Sequence, residues 1–94
     1  MASKITKQSM VRWSPDQIAA PVGTEVVVMS IARGQYYELK GVAGDIWQRL
    51  ERPIAVGELC DRLSETYEAD QAQIETEVLA FLNEMLDEAI VTVD

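Results

Sequence analysis

Residues 25–31 read EVVVMSI, a β-branched run bounded by Gly23-Thr24 on one side and Ala32-Arg33-Gly34 on the other. Such a run between turn residues predicts a strand. After the short glycine-containing loop, QYYEL at residues 35–39 predicts a returning strand and hence a hairpin. Ahead of it lies SMVRWSPDQIAAPVG. Ser14-Pro15-Asp16-Gln17 has the form of a helix start, with a capping serine, a proline at the first position and a glutamine three residues on. Pro21 would stop any such helix after about one turn. Extended structure is therefore expected at residues 10–13 or 17–22, with a kink between. Three short antiparallel strands come first in the chain, and a meander of that size must pack on helices to persist in water.

Three helical periods follow. In VAGDIWQRL the apolar positions Val42, Ala43, Ile46, Trp47 and Leu50 share one face, and Arg52-Pro53 ends the segment. Residues 56–67 carry Val56, Leu59, Cys60, Leu63 and Tyr67 at spacings of three and four. Asp70 is a suitable cap for the last and longest segment, QAQIETEVLAFLNEMLDEA, which runs into an extended tail at residues 90–93. The opening residues MASKITKQ are polar and show no period. The chain divides on this reading into a flexible arm at residues 1–9 and a single domain at residues 10–94. The second and third helices are joined by residues 68–70 alone. The pattern predicts an α+β fold, winged helix-turn-helix-like, with a three-stranded antiparallel sheet followed by three helices.

Composition narrows what such a domain can do. Ninety-four residues, 48% of them hydrophobic and 26% charged, supply one small core and no second domain. The single cysteine, Cys60, lies in an apolar-periodic run and reads as a small buried hydrophobe, and no intrachain disulfide is possible. With no secretory leader and no apolar stretch near the ~18 residues a membrane span needs, the expectation is a cytoplasmic protein with no membrane contact. Histidine is absent, which removes Ser-His-Asp machinery and cysteine–histidine zinc sites. The carboxylates are scattered at the spacings of solvated helix faces, so a non-catalytic protein without cofactor or metal is expected.

Charge then bears on the default role of winged helices, DNA binding. Residues 63–94 contain nine acidic side chains and no lysine or arginine, and the whole chain carries a net charge of -8. The helix that would enter the major groove bears Glu75, Glu77, Glu84, Asp87 and Glu88. Phosphate repels such a surface, so no nucleic acid is expected as partner. The third helix also has two apolar lines: Ile74, Val78, Phe81 and Met85 in one, Leu79, Leu82 and Leu86 in the other. The second line is either a wide core contact or the wall of a groove. If residues 35–39 form an edge strand, its free N–H and C=O groups are a template for an added peptide strand. Alternation turns Tyr37 and Leu39 toward the helices and Tyr36 and Glu38 away; Tyr36 is then either part of such a slot or an ordinary half-exposed strand aromatic.

The order of a glycine, YYEL, VAGDIW, PIAVGELCDRLSETYEAD and EVLAFLNEMLDEAIV resembles the PqqD-like family, the leader-recognition elements of ribosomal peptide (RiPP) modification pathways, from residue 23 to residue 93. The doubled tyrosine followed by Ile46-Trp47 is most similar to the free-standing versions in lasso-peptide gene clusters. The resemblance implies that a precursor's leader segment adds as a strand beside the third strand and faces the third helix, and that the domain escorts it to a separate leader peptidase and a cyclase. Carried onto this chain, the implied peptide-binding residues are Arg33, Gln35, Tyr36, Tyr37, Glu38 and Leu39 on the edge, with Glu75, Glu77, Val78, Leu79 and Leu82 on the helix. Glu77 stands where the family's pattern often has an aspartate, so the carboxylate is kept one methylene longer. Leader anchors in the lasso versions are typically a tyrosine, a proline and a leucine. Nothing is carried over before Gly23, where the sequence departs most. The competing readings are a winged-helix regulator and a small acidic protein-interaction subunit.

Overall fold

The computed structural model describes residues 5–94. Both candidate extended segments form strands, β1 (Met10–Trp13) and β2 (Gln17–Val22). The serine-proline sequence between them makes a turn instead of a helix: the Ser14 hydroxyl accepts the Asp16 N–H at 3.0 Å. Then come β3 (Glu25–Ser30) and β4 (Gln35–Leu39), and β2, β3 and β4 pair in that order as an antiparallel meander. The register Val26↔Leu39 and Val28↔Tyr37 puts Val26, Val28 and Leu39 into the core, each under a tenth exposed. The opposite face of the sheet carries the row Ile18, Met29 and Tyr36. β3 stops one residue before its apolar run does, because the Ser30 hydroxyl accepts the Arg33 N–H at 3.1 Å and donates to the Glu88 carbonyl at 2.7 Å, and Ile31 turns outward.

The second half is helical as the periods predict: α1 (Val42–Arg49), α2 (Val56–Tyr67) and α3 (Gln71–Asp87). A second sheet, which the pattern did not announce, ties the chain's two ends together. It is built from β5 (Ile54–Ala55), β1 and β6 (Val91–Val93), with β1 in the middle and both pairings antiparallel. Trp13 at the end of β1 stacks on Trp47 of α1 with ring centroids 5.2 Å apart, and its indole N–H donates to the Trp47 carbonyl at 2.7 Å. Around this pair, Leu50, Leu59, Leu63, Leu82 and Ile90 are fully buried. Asp70 occupies the N-cap position of α3 but its side chain makes no capping bond. At the other end the Ile90 N–H reaches back to the Met85 carbonyl at 3.1 Å and Ala89 takes a left-handed φ of 65°, which swings the chain into β6.

Two polar networks fix the helices. Asp45 receives Arg49 Nε at 2.8 Å and the Tyr67 hydroxyl at 2.7 Å, joining α1 to the end of α2. Burial opposes ionisation of Asp45, but these two hydrogen bonds and the Arg49 charge outweigh it and hold its carboxyl below the ordinary value. The second network involves the N-terminal arm. Residues 1–4 lie outside the described residues; from Ile5 on, the arm expected to be loose is docked. Ile5 is 4% exposed and its N–H donates to Asn83 Oδ1 at 3.0 Å. Lys7 pairs with Glu75 at 3.0 Å, and the carbonyls of Lys7 and Ser9 accept the Gly57 and Val56 N–H groups, satisfying donors that the first turn of α2 cannot satisfy itself. Burial pushes the Cys60 thiol up, as does the nearby Glu75 charge. Among the described residues, no group of histidine, cysteine and carboxylate side chains could hold a metal, and no helix is long and apolar enough to cross a membrane.

Candidate peptide-binding groove

Among the described residues β4 pairs with β3 alone, so one row of its N–H and C=O groups is without a strand partner. The other margin of the sheet, β2, carries Pro21, which has no N–H to offer. Two glycines set what lies beside β4. Gly41 turns the chain from strand to helix at φ 56° and ψ -126°, a conformation closed to other L residues. Gly44 lets α1 approach β4: a Cβ there would sit 3.1 Å from the Leu39 carbonyl oxygen.

α3 completes the enclosure. Between α1 and α3 runs a groove of about 170 Å³, walled by Val42, Ala43 and Ile46 on one side and by Ile74, Val78 and Phe81 on the other. Glu77 at its rim is the one charged residue in the lining, and its carboxylate accepts Gln73 Nε2 at 2.9 Å. This space is below the ~300–1,000 Å³ of typical small-molecule sites, and suits one or two apolar side chains of a peptide.

The other end of β4 is moored to the last turn of α3. Arg33 Nη2 donates to the Asp87 carbonyl at 2.8 Å, placing a cation at the negative end of the helix dipole. The Tyr37 hydroxyl hydrogen-bonds to the Glu88 carboxylate and lies 3.1 Å from Gln35 Oε1. The bond to Glu88, then burial, then the Glu88 charge push the Tyr37 phenol up from 10.0 to about 12. The folded chain thus holds this proton past the pH at which the unfolded chain releases it. The stability the contact adds is intact below about pH 10 and is lost as the pH climbs toward 12. Ultraviolet titration of the three tyrosines should show the last phenolate forming near pH 12, and Tyr37→Phe should remove that step and flatten the alkaline loss of stability. A Tyr37→Phe titration curve that keeps the late step would mean that the Glu88 contact does not govern it.

The residues expected from the sequence fall in three places. Gln35, Tyr36, Tyr37, Glu38 and Leu39 form β4, with Tyr36 71% exposed on the outer face, Glu38 exposed, Tyr37 half-buried against α3 and Leu39 in the core. Arg33 sits at the entrance of the strand, while Glu77 and Val78 line the groove. Glu75, Leu79 and Leu82 do not join them. Leu82 is fully buried, which makes it core. Glu75 is on the other flank of α3, paired with Lys7, and Leu79 lies on that flank between Glu75 and Asn83, the two residues that hold the arm. The wide apolar arc of α3 is therefore centred on Val78, Leu82 and Met85, and the flank toward the groove is Ile74, Glu77 and Phe81. Sequence reasoning missed Ile74 and Phe81 as site residues, and it missed the α1 wall altogether. The sequence carried no signal for that wall: Val42 reads as one of the positions on the shared apolar face of α1, and only the fold leaves it 42% exposed.

The family model for coenzyme PQQ synthesis protein D (PqqD) matches residues 25–91, from the start of β3 to the start of β6. The chain belongs to the PqqD family. No curated protein matches it significantly. Among solved structures, this PqqD-family chain is similar to TbiB1 in complex with the TbiA(beta) leader peptide, with a TM-score of 0.79 and 25% identity over 85% of this chain and 93% of that one. It shares its fold with lasso peptide synthetase B1 complexed with the leader peptide, at a TM-score of 0.76 and 21% identity, covering 87% of this chain and 96% of the other. The elements that bound the groove in the PqqD-family chain, from β4 through α1 to α3, all fall inside the matched residues.

Proposed function

We propose that this protein binds the leader segment of a ribosomally made precursor peptide and presents it to the leader peptidase and cyclase of a lasso-peptide pathway, without itself catalysing a reaction. The observation that carries this reading is the unpaired β4 margin beside an apolar groove, in a member of the PqqD family that resembles a protein solved with its leader peptide. The leader lies along β4 and is held by main-chain hydrogen bonds, which are insensitive to its sequence. Specificity comes from side chains that enter the groove between α1 and α3. A leader is flexible when free and loses conformational entropy on docking, so affinity rests on a few buried anchors. Glu77 at the rim and the acidic last turns of α3 favour a leader with basic residues near those anchors, an attraction that rising salt weakens.

Titration calorimetry with four synthetic peptides tests this: the cognate leader, a scrambled leader, and the cognate leader N-methylated at alternate backbone amides in each of the two registers. The first should bind, the second should not, and the methylated register whose blocked amides face β4 should lose about ten-fold in affinity for each main-chain bond it can no longer donate. Equal binding of native and scrambled peptides would overturn the reading. Undiminished binding of both alternately N-methylated registers would rule out strand addition in particular.

A further inference from the structure

The described cations of this acidic protein are nearly all engaged. Lys7 is paired with Glu75, Arg12 with Asp94, Lys40 with Glu25, Arg49 with Asp45 and Arg62 with Glu58, and Arg33 donates to the Asp87 carbonyl. The exception is Arg52, whose exposed guanidinium makes no hydrogen bond or ion pair among the described residues. It shares a surface notch of about 460 Å³ with Arg49 and Arg62, lined also by Pro53 and Ile54 and by one acidic residue, Glu58. Three of the chain's eight basic residues thus converge on one depression in a molecule of net charge -8.

The three guanidiniums differ in readiness. Arg49 is pre-oriented, because Nε and Nη2 are committed to Asp45 and Thr66 while Nη1 makes no hydrogen bond among the described residues. Arg62 reaches Glu58 at 2.8 Å, but both side chains are more than half exposed, and an exposed pair one helical turn apart is exchanged for another carboxylate at little cost. Arg52 is free. The notch shares no residue with the groove between α1 and α3.

We propose that the Arg49, Arg52 and Arg62 notch is a second docking site, which takes a short carboxylate-rich segment of a partner protein. The size of the notch and the protein's own charge select this occupant. Nucleic acid or a second copy of the chain would bring an extended negative charge against a molecule of net -8, whereas a short flexible run of carboxylates brings less long-range repulsion and gains bidentate contacts at close range. The site is independent of the leader reading, and supplies what a non-catalytic adaptor needs, a surface for a second protein that leaves the groove open.

Fluorescence anisotropy of labelled hexaglutamate tests it, with hexalysine, inorganic phosphate and a single-stranded oligonucleotide as competing probes. Hexaglutamate should bind at low salt, Arg52→Glu should weaken it about ten-fold or more, and affinity for the leader should not change. Arg52 has no partner among the described residues, so this variant should fold as the parent does, and its far-ultraviolet dichroism checks that. Arg62→Glu provides a second variant with the same expected loss. Hexaglutamate affinity unchanged from the parent in both variants would overturn the proposal, as would inorganic phosphate or the oligonucleotide competing at equivalent charge. If Arg52→Glu weakened leader binding as well, the notch would be part of the leader site and the proposal would fail while the leader reading stood. Hexaglutamate binding in a protein that ignores its leader would separate the two in the opposite sense.

Discussion

Phe81→Ala should raise the dissociation constant for the cognate leader by about thirty-fold or more, while the protein still unfolds cooperatively. Phe81 is half-buried, packs against the core and lines the groove on its α3 side. Truncating a buried anchor contact at a peptide interface costs at least about 2 kcal/mol, and each 1.4 kcal/mol is a factor of ten. Because the ring also packs against the core, a thermal melt must accompany the titration, with binding measured well below the midpoint. The control is Leu79→Ala on the opposite flank of α3, which should leave leader affinity unchanged because that flank is under the N-terminal arm. The reverse outcome, with Leu79→Ala weakening the leader and Phe81→Ala neutral, would move the site to the flank that the sequence alone suggested.

Trp47→Ala should lower the melting temperature by about 15–30 °C, the largest effect expected of any single substitution in this chain. Trp47 is 1% exposed and lies where α1 meets β1, stacked on Trp13 and accepting its indole N–H on its own carbonyl. Its removal leaves a cavity and an unmatched face on Trp13, and such truncations cost about 3–5 kcal/mol. Against a total stability of about 5–15 kcal/mol, this brings a small domain close to unfolding at physiological temperature. Circular dichroism melts provide the measurement, and near-ultraviolet dichroism should lose the signal of the stacked pair. A midpoint within about 5 °C of wild type would show that the indole stack contributes little to the core. Trp13→Phe should cost less, since the ring-to-ring contact survives and only the 2.7 Å hydrogen bond is lost.

What could be read from the sequence follows from how locally each feature is encoded. The β3–β4 hairpin and all three helices rest on short-range patterns, β-branched alternation and three-to-four spacing, and they lie where those patterns place them. The β5-β1-β6 sheet was not legible because its strands are two to four residues long and come from the two ends and the middle of the chain, so no window of sequence contains a pairing. The docking of the arm was hidden for a similar reason: Ile5 is a lone apolar residue among polar ones, and its partners Asn83 and Glu75 are far along the chain. On α3, periodicity showed an apolar arc wide enough for two rows, but only tertiary packing could say which flank meets α1. Leu82, chosen for the groove, points into the core, and Phe81, one residue earlier and 100° away around the helix, lines it.

Pro21 on β2 gives the sheet an orientation that matters beyond a single chain. A leader added as proposed would join at β4, whereas the far margin lacks a donor at Pro21, the next-to-last residue of β2, which disfavours strand addition there. On the proposed mode of binding, each molecule would therefore take one added strand, with one leader per chain. Two empty copies that met would close on each other through their β4 margins as a pair, and would not extend into a fibre.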